Sequence, residues 1–336
     1  MASLRLGLDV EKLPLREPFR ISGHIWTELD VVVATLEEGG RRGRGEACGV
    51  YYLNDTAQSL VAAIEAVRAD IEAGMDRDAL QRLLPPGGAR NAIDCALWEL
   101  EALRAATPVW KLAGLPSPRP LVTTFTLGIE DPEVMAARAR RNVQARALKL
   151  KLVGDSEVDV ARVQAVRAAR PDVWLGVDAN QGYTADALPA LVEALALERV
   201  SLLEQPLQRG REAELEGFKS SIPIAADESV LNLSELPAAA RRFDVVNIKL
   251  DKCGGLTEGL AMAHEARRLG LDVMVGNMVG TSLAMAPGFV LGQLCDIVDL
   301  DGPTFLVRDR KPGVTYDDGH IWSGEQVWGG ATALTA

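Results

Sequence analysis

The sequence has few of the features that mark secreted or membrane proteins. Its four cysteines form no C-x-x-C pair and lie in apolar contexts, so we interpret them as small buried hydrophobic residues: Cys48, Cys95, Cys253 and Cys295. No apolar run approaches the ~18 residues that a membrane span requires. The first residues lack the basic-then-apolar pattern of a signal peptide, and we therefore expect a cytoplasmic protein.

Positive charge is scarce relative to negative charge. The 336 residues include 47 acidic and 36 basic side chains, which give a net charge of −11. So acidic a protein is poorly suited to bind nucleic acid or an anionic membrane, and we expect neither as a partner. The hydrophobic fraction of 48% is typical of soluble globular proteins, and the length predicts about two domains.

Residues 1–115 are predicted to form an α+β unit. Alternating apolar and polar residues indicate three strands, of which the last two form an antiparallel hairpin: residues 3–13, 29–37 and 42–47. Two intervening segments are interpreted as loops: residues 16–28 and 49–55. Helical patterns follow at residues 57–73 and 90–106.

From residue 116 onward, strand and helix patterns alternate regularly. Short runs rich in Val, Ile and Leu predict eight buried parallel strands near residues 121–127, 148–153, 173–178, 200–204, 222–226, 244–249, 272–276 and 296–301. Six helices are predicted between them, at 132–144, 158–169, 185–197, 234–241, 256–269 and 282–294. This spacing predicts a TIM-like α/β barrel over 116–303; a doubly wound sheet is less favoured because no G-x-G-x-x-G follows an early strand. The irregular tail, 304–336, is expected to pack back on the N-terminal unit.

Three acidic residues, Asp178, Glu204 and Asp227, lie at or next to the ends of successive predicted strands. Their spacing fits one strand, one helix and two short loops. The C-terminal ends of barrel strands converge on the face where such barrels carry out chemistry. Three carboxylates would repel each other there unless a cation neutralised them. The sequence therefore predicts one Mg²⁺ per subunit, with Mn²⁺ as the alternative.

Lysines occupy neighbouring strand ends. Lys149 and Lys151 project to the same side of one strand, and Lys249 lies on a later strand across the barrel. A lysine near a metal and away from bulk water has its pKa lowered and can act as a base. Two such bases would let a proton leave one face of a bound substrate and return to the other. Alternatively, each acid alone could be a helix N-cap, and the lysine pair could belong to a solvated edge strand.

As a set, these residues and several short motifs resemble the enolase superfamily, muconate-lactonizing subgroup. The matching segments are Gly45-Glu46-Ala47, Ala92–Trp98, Lys149-Leu-Lys151, Asp178-Ala-Asn180, Ala226-Asp-Glu-Ser229 and Asn247-Ile-Lys249. The resemblance implies an α+β capping domain, completed by the tail, over a modified (β/α)₇β barrel. It further implies that the three acids hold Mg²⁺, that Lys151 and Lys249 are the acid/base catalysts, and that Lys149 contacts the substrate carboxylate. Asn180 and Glu228 are expected to support the site.

Asp299-Leu-Asp301, preceded by the segment that begins at Met278, looks like the dipeptide epimerases. In those enzymes an Asp-x-Asp pair binds the free α-ammonium of an L,L-dipeptide, and two carboxylates on one face suit such a group. The resemblance implies epimerisation of the C-terminal residue through an enediolate, with Tyr51, His24 and Met278 near the substrate. Loop caps or salt-bridge partners are the alternative roles for the two aspartates.

One position departs from the relatives that act on Ala-Glu, which place an arginine where this sequence has His24. A histidine offers at most one conditional charge, which weakens the case for Ala-Glu. Trp26, Tyr51 and Tyr52 would instead suit an apolar or larger side chain, and His24 could be an ordinary loop residue. Alternative functions are an N-acylamino-acid racemase, an o-succinylbenzoate synthase, a muconate cycloisomerase or a non-catalytic metal- or ligand-binding barrel. We expect a homo-oligomer.

Overall fold

The computed structural model of the chain describes residues 3–21 and 23–332. Its N-terminal unit begins with an antiparallel sheet in the order β1–β2–β3, formed by Arg5–Ile21, His24–Glu38 and Arg41–Cys48. Gly39 and Gly40 join β2 to β3 with φ angles of 55° and 78°, which glycine adopts without the steric cost of a Cβ. The predicted antiparallel hairpin is therefore confirmed.

Five helices complete this unit: α1 (Ala57–Ala66), α2 (Arg68–Glu72), α3 (Arg77–Leu83), α4 (Gly88–Ala105) and α5 (Val109–Leu112). Helix α4 lies directly against β3. A Cβ on Gly45 would lie 2.0 Å from the carbonyl oxygen of Ala92, and one on Gly43 would lie 2.1 Å from that of Ala96. The close approach of strand and helix explains why glycines alternate along β3.

The chain then passes through β4 (Leu121–Val122) into a parallel sheet of eight strands in the order β5 to β12. These are β5 (Thr124–Leu127), β6 (Ala147–Lys151), β7 (Trp174–Asp178), β8 (Leu202–Glu204), β9 (Ile224–Ala226), β10 (Val245–Lys249), β11 (Asp272–Gly276) and β12 (Ile297–Val298). The Thr124 hydroxyl donates to Asp299 at 2.5 Å, and the Leu300 amide donates to Thr123 Oγ1 at 3.0 Å. These bonds connect the two ends of the sheet, so the predicted barrel is confirmed and nearly closed.

Helices connect most of the barrel strands: α6 (Pro132–Arg141), α7 (Ser156–Ala169), α8 (Leu188–Leu197), α9 (Leu236–Ala239), α10 (Leu250–Cys253), α11 (Leu256–Arg268) and α12 (Ser282–Gly292). Each of the six predicted helical segments overlaps one of them. The connection from β8 to β9 has only the 3₁₀ helix Glu212–Leu215. Strands and helices therefore alternate through most of the barrel.

The C-terminal tail contacts both units. Strands β13 (Thr315–Asp317) and β14 (His320–Trp322) form a small antiparallel sheet with β4. Further along, the Trp328 indole donates to the carbonyl oxygen of Arg44 at 2.9 Å, and Arg16 Nε donates to that of Leu306 at 2.6 Å. These contacts join the tail to the capping sheet, while the domain boundaries at residues 115 and 303 stay predictions.

The interpretation of residues 16–28 as a loop was wrong. Most of this segment extends β1 and β2 into a longer hairpin, in which Phe19 pairs with Trp26 and Ile21 with His24. The register shifts between Pro14 and Phe19, and this irregularity interrupts the apolar alternation on which the strand prediction relied. The hairpin is held by packing, because Phe19, Trp26 and Leu29 share a hydrophobic cluster with Leu13 and Leu15.

The cysteines and the apolar segments largely follow the sequence-based expectations. All four thiols are free; Cys48, Cys95 and Cys253 are buried, and Cys295 is partly buried. Burial raises the pKa of the Cys253 thiol to about 12, which makes it unreactive. Among the helices of residues 3–21 and 23–332, none combines the length and the apolar character that crossing a membrane requires.

Candidate active site

Three acidic side chains form a row across neighbouring strands at the C-terminal edge of the barrel. Asp178 and Glu204 end β7 and β8 and lie opposite each other in the ladder, and Asp227 follows the last residue of β9. One carboxylate oxygen of each lies within 4.8 Å of the other two. All three side chains are buried, so the barrel concentrates three carboxylates away from water.

The chemistry of this row fits a hard divalent cation. Burial, and then the nearby Asp178 carboxylate, raises the pKa of Glu204 to about 7. Burial, and then Asp227, raises the pKa of the adjacent Glu228 to about 8. Such shifts indicate that ionising both carboxyl groups is unfavourable without a further positive charge nearby. A compact set of carboxylate oxygens is what Mg²⁺ and Mn²⁺ bind, so these three acids could hold either ion.

The residues expected to support the row lie beside it. The Asn180 amide donates to Asp178 Oδ1 at 3.0 Å, and its side-chain Nδ2 donates to Glu228 Oε1 at 3.4 Å. Within the described part of the chain, Asn180 Oδ1 and Glu228 Oε2 are buried without a hydrogen-bond partner. Two unpartnered buried oxygens next to the acids add to the demand for a cation or a donor there.

Two lysines approach the row from its opposite ends. Lys151 Nζ lies 2.5 Å from Asp178 Oδ2, and Lys249 Nζ lies 2.7 Å from Asp227 Oδ2. Lys149, two residues before Lys151 on β6, is more deeply buried and lies 3.3 Å from Glu204 Oε2. The alternation of β6 places both of its lysines on the inner side of the barrel, which rules out the solvated edge strand.

The acids hold the ammonium groups of Lys249 and Lys149 in the charged form. Burial alone would lower the pKa of Lys249, but the carboxylates of Asp227 and Glu204 outweigh burial and raise it well above its usual value. The same balance, with Asp299 as the main carboxylate, raises the pKa of Lys149. The lowered lysine pKa expected from the sequence therefore depends on a divalent cation that offsets the charge of the acids.

Sequence reasoning assigned no role to two residues that hold the acids in place. Lys252 Nζ lies 2.7 Å from Asp227 Oδ1 and donates to the carbonyl oxygens of Asp227 and Asn247 at 2.5 and 3.0 Å. Asn247 Nδ2 donates to Glu204 Oε1 at 2.7 Å. Burial would raise the pKa of Asp227, but Lys249 and Lys252 hold it well below its usual range. The K-x-x-K spacing across the end of β10 was the available signal.

The two aspartates after β12 differ in their partners. Asp299 forms a salt bridge with Lys149 and accepts a hydrogen bond from Thr124, and its role in substrate binding stays a prediction. Asp301 Oδ2 accepts from the Thr126 amide at 2.6 Å, and no salt bridge reaches it from any described residue. Burial, and then Asp299, raises the pKa of Asp301 to about 7. Asp301 is therefore a buried acid in need of a positive partner.

The lysines and Asp227 face a cavity that also reaches Asp299 and Asp301 and is partly covered by the capping unit. Its upper wall comes from the long hairpin, from residues 48–52 and from two barrel loops: Phe19, Ile21, Trp26, Leu29, Cys48, Gly49, Tyr51, Tyr52, Met278, Val279 and Phe305. Tyr51 and Met278, which were expected near the substrate, thus line the cavity. His24 does not; it is exposed, and its ring stacks on Trp26 at 5.3 Å and contacts Tyr51 at 4.6 Å. Its role in binding stays a prediction.

The chain is similar over most of its length to characterised enzymes. The L-Ala-D/L-Glu epimerase of Escherichia coli strain K12 is 42% identical over 311 residues, which cover 93% of this chain and 97% of that protein. The N-acetyl-D-glutamate racemase of Pseudoalteromonas sp. is 41% identical over 258 residues, which cover 76% of this chain and 81% of that protein.

Solved structures share the fold. An enolase family member from Agrobacterium tumefaciens, with homology to dipeptide epimerases and with bound sodium and L-Ala-L-Glu, matches with a TM-score of 0.93 and 40% identity over 97% of this chain and 100% of that chain. A dipeptide epimerase from Methylococcus capsulatus, complexed with Mg and L-Arg-D-Lys, matches with a TM-score of 0.89 and 30% identity over 96% of this chain and 97% of that chain.

The family assignment follows from both units of the chain. Residues 8–114 match the N-terminal domain of the mandelate racemase / muconate lactonizing enzyme family. Residues 134–323, which contain the acids and the lysines, match the enolase C-terminal domain-like family. The chain belongs to the enolase superfamily, in its mandelate racemase / muconate lactonizing enzyme group.

Proposed function

We propose that this protein is a Mg²⁺-dependent dipeptide epimerase that acts on the C-terminal residue of an L,L-dipeptide. The observation that carries the proposal is the placement of Lys151 and Lys249 at opposite ends of one row of buried acids. A substrate held at that row presents one face of its α-carbon to each lysine. Removal of the α-proton by one amine and delivery by the other inverts the centre.

The surrounding residues suit this reaction. Asp178, Glu204 and Asp227 would hold the ion, and bound Mg²⁺ supplies Lewis-acid stabilisation of the charge that develops on the substrate carboxylate, worth several kcal/mol. Lys149, buried beside the same acids, would stabilise the enediolate further. The capping unit forms much of the cavity wall, and reduced access of water there would strengthen each of these interactions.

The far end of the cavity suits a free α-ammonium. Asp301 is buried and has no salt bridge from the described residues, and its raised pKa indicates that a positive partner would be favourable. A dipeptide ammonium next to Asp301 and Asp299 would supply that charge. The substrate would then be fixed at both ends, with its second α-carbon between the lysines.

The test is solvent-deuterium exchange followed by ¹H NMR over a library of L,L-dipeptides in D₂O with MgCl₂. We expect the α-proton signal of the C-terminal residue to disappear while the L,D product accumulates, and EDTA to stop both. Lys151→Ala and Lys249→Ala should each abolish epimerisation, and one of them can keep exchange from a single stereoisomer. No exchange across the whole library would contradict the proposal.

N-acylamino-acid racemisation is the second candidate, because a 41% identical relative is an N-acetyl-D-glutamate racemase. N-acylation removes the ammonium that Asp301 would bind, so N-acetyl-L-glutamate and L-Ala-L-Glu separate the two functions. Dipeptide turnover that is unchanged in Asp301→Ala would favour the racemase. A cytoplasmic location and a homo-oligomeric state are also proposals, which cell fractionation and light scattering of the purified protein test.

A further inference from the structure

Five aromatic rings form a continuous layer over the cavity, which we name the aromatic roof: Phe19, Trp26, Tyr51, Tyr52 and Phe305. Neighbouring ring centroids lie 4.8 Å apart for Phe305 and Phe19, 6.4 Å for Phe19 and Trp26, 5.2 Å for Trp26 and Tyr51, and 5.1 Å for Tyr51 and Tyr52. All five line the cavity. A side chain that extends from the substrate toward the capping unit therefore meets rings.

The cations near the cavity are already engaged. Lys149, Lys151 and Lys249 line it, and each is paired with a carboxylate. On the hairpin, Arg20 pairs with Glu130 at 2.9 Å, and this arginine does not line the cavity. Among the described residues, the roof thus offers no cation to a substrate side chain.

Trp26 and Tyr51 are adjacent rings of this layer, with centroids 5.2 Å apart. Both line the same cavity as Asp227 and Lys249. A dipeptide held between the lysines therefore shares the cavity with both rings.

We propose that the aromatic roof selects L,L-dipeptides whose C-terminal side chain is large and apolar, with Trp26 and Tyr51 as specificity-determining residues. This inference rests on the proposed epimerase function and narrows it. A glutamate side chain would bury its carboxylate against rings with no cation to pair with, which is unfavourable. A phenyl ring would bury apolar area and make ring contacts.

The first test compares kcat/KM for L-Ala-L-Phe, L-Ala-L-Glu and L-Ala-L-Lys, measured by α-proton exchange with MgCl₂ present. We expect L-Ala-L-Phe to be favoured over the other two by on the order of 100-fold, the discrimination that a hydrophobic pocket achieves. A preference for L-Ala-L-Glu or L-Ala-L-Lys would overturn the inference and leave the epimerase function standing. Inactivity on the whole dipeptide library would instead remove the function itself.

The second test adds a cation to the roof. Trp26→Arg should shift the ratio of kcat/KM values toward L-Ala-L-Glu by roughly 100-fold. Ile25→Arg is the matched control, because Ile25 is the adjacent hairpin residue, is 64% exposed and does not line the cavity. In Ile25→Arg, the ratio of kcat/KM for L-Ala-L-Glu to that for L-Ala-L-Phe should equal the ratio in the unmodified protein. An unchanged ratio in Trp26→Arg would overturn the inference.

A third variant covers the case in which Trp26→Arg does not fold, which circular dichroism would reveal. Trp26→Leu keeps the site apolar but removes the ring. We expect it to raise KM for L-Ala-L-Phe by about 10-fold with little change in kcat, and to give no gain on L-Ala-L-Glu. Unchanged KM for L-Ala-L-Phe in this variant would count against a selective role for Trp26.

Discussion

Lys252 shows how a single buried charge can hold a functional carboxylate in place. Its side chain is 1% exposed, and all three of its hydrogen bonds go to Asp227 and Asn247. Because Lys252 occupies Oδ1 of Asp227, the rotation of that carboxylate is restricted whether or not Lys249 is engaged at Oδ2. We infer that Lys252 positions Asp227, whereas Lys249 faces the cavity and is available for proton transfer.

Lys252→Met tests whether Lys252 positions Asp227. Methionine has a similar length, so the loss is chiefly that of a buried ammonium, which leaves Asp227 under-compensated and costs about 3–5 kcal/mol of unfolding free energy. We also expect weaker Mg²⁺ binding, measured by titration calorimetry on the folded variant. Lys219→Met, at an exposed lysine, is the control and should change neither quantity. Wild-type stability and Mg²⁺ affinity in Lys252→Met would refute the assignment.

At the scale of single residues, the sequence identified the charged side chains that lie at the ends of strands. Asp178, Glu204 and Lys151 lie at the last positions of their strands, where period and spacing could identify them. Lys252 escaped notice because it follows β10 within a four-residue helix, so no strand period points to it. Its role depends on how that short helix turns back under Asp227, which only the folded chain specifies.

At the scale of elements, the capping unit and the barrel meet at helix α10. Asp251 on this helix accepts hydrogen bonds from the Cys48 amide at the end of β3 and from Asn91 Nδ2 on α4, both at 3.0 Å. Asp251 is buried, and burial raises its pKa to about 7. One carboxyl group therefore connects three elements and is difficult to ionise in the folded protein.

This interface should weaken as pH rises. The folded-state pKa of Asp251 lies above the ordinary value of ~3.9, so the folded protein binds the proton more tightly than the unfolded chain does. Its contribution is fully present below pH ~4 and is lost as pH rises toward 7, by at most about 1.4 kcal/mol per pH unit. Asp251→Asn stays neutral and keeps an acceptor oxygen, so its stability should fall less between pH 5 and pH 8.

Urea unfolding at pH 5 and pH 8 measures how far the unfolding free energy falls between these pH values in the wild type and in Asp251→Asn. Asp70→Asn, at an exposed aspartate on α2, removes a carboxylate elsewhere in the capping unit and should leave the wild-type slope unchanged. Equal pH dependence in wild type and Asp251→Asn would show that this carboxyl group does not couple protonation to folding.

Helices and strands were predictable from the sequence where a single pattern of apolar residues dominates. All eight barrel strands were predicted, because buried parallel strands give continuous apolar runs between helices. The hairpin at 16–28 was missed, since Pro18 and the register shift break its alternation and its strands are stabilised by distant contacts such as that between Phe19 and Phe305. Local pattern cannot reveal a strand that is stabilised by packing against side chains far away in the sequence.

At the scale of the whole molecule, one buried carboxylate joins three regions that are distant in sequence. Glu46 on β3 accepts hydrogen bonds from the Thr281 amide and hydroxyl, at 2.7 and 2.5 Å, in the barrel loop that follows Met278. Arg310 of the tail lies 2.7 Å from Glu46 and 3.0 Å from Glu11 of β1. Capping sheet, cavity loop and tail are thus connected at one point.

This arrangement predicts that a substitution in the tail destabilises the loop that lines the cavity. Arg310→Met removes the cation that compensates Glu46, whose side chain is fully buried, and we expect a loss of about 3 kcal/mol or more in unfolding free energy. Because the same carboxylate holds Thr281, hydrogen exchange should rise together in β3 and in residues 278–281. The matched control is Arg308→Met, at an exposed arginine of the tail. Faster exchange confined to the tail would mean that it only covers the capping unit; faster exchange in all three regions would mean that the cavity loop, the capping sheet and the tail open as one cooperative unit.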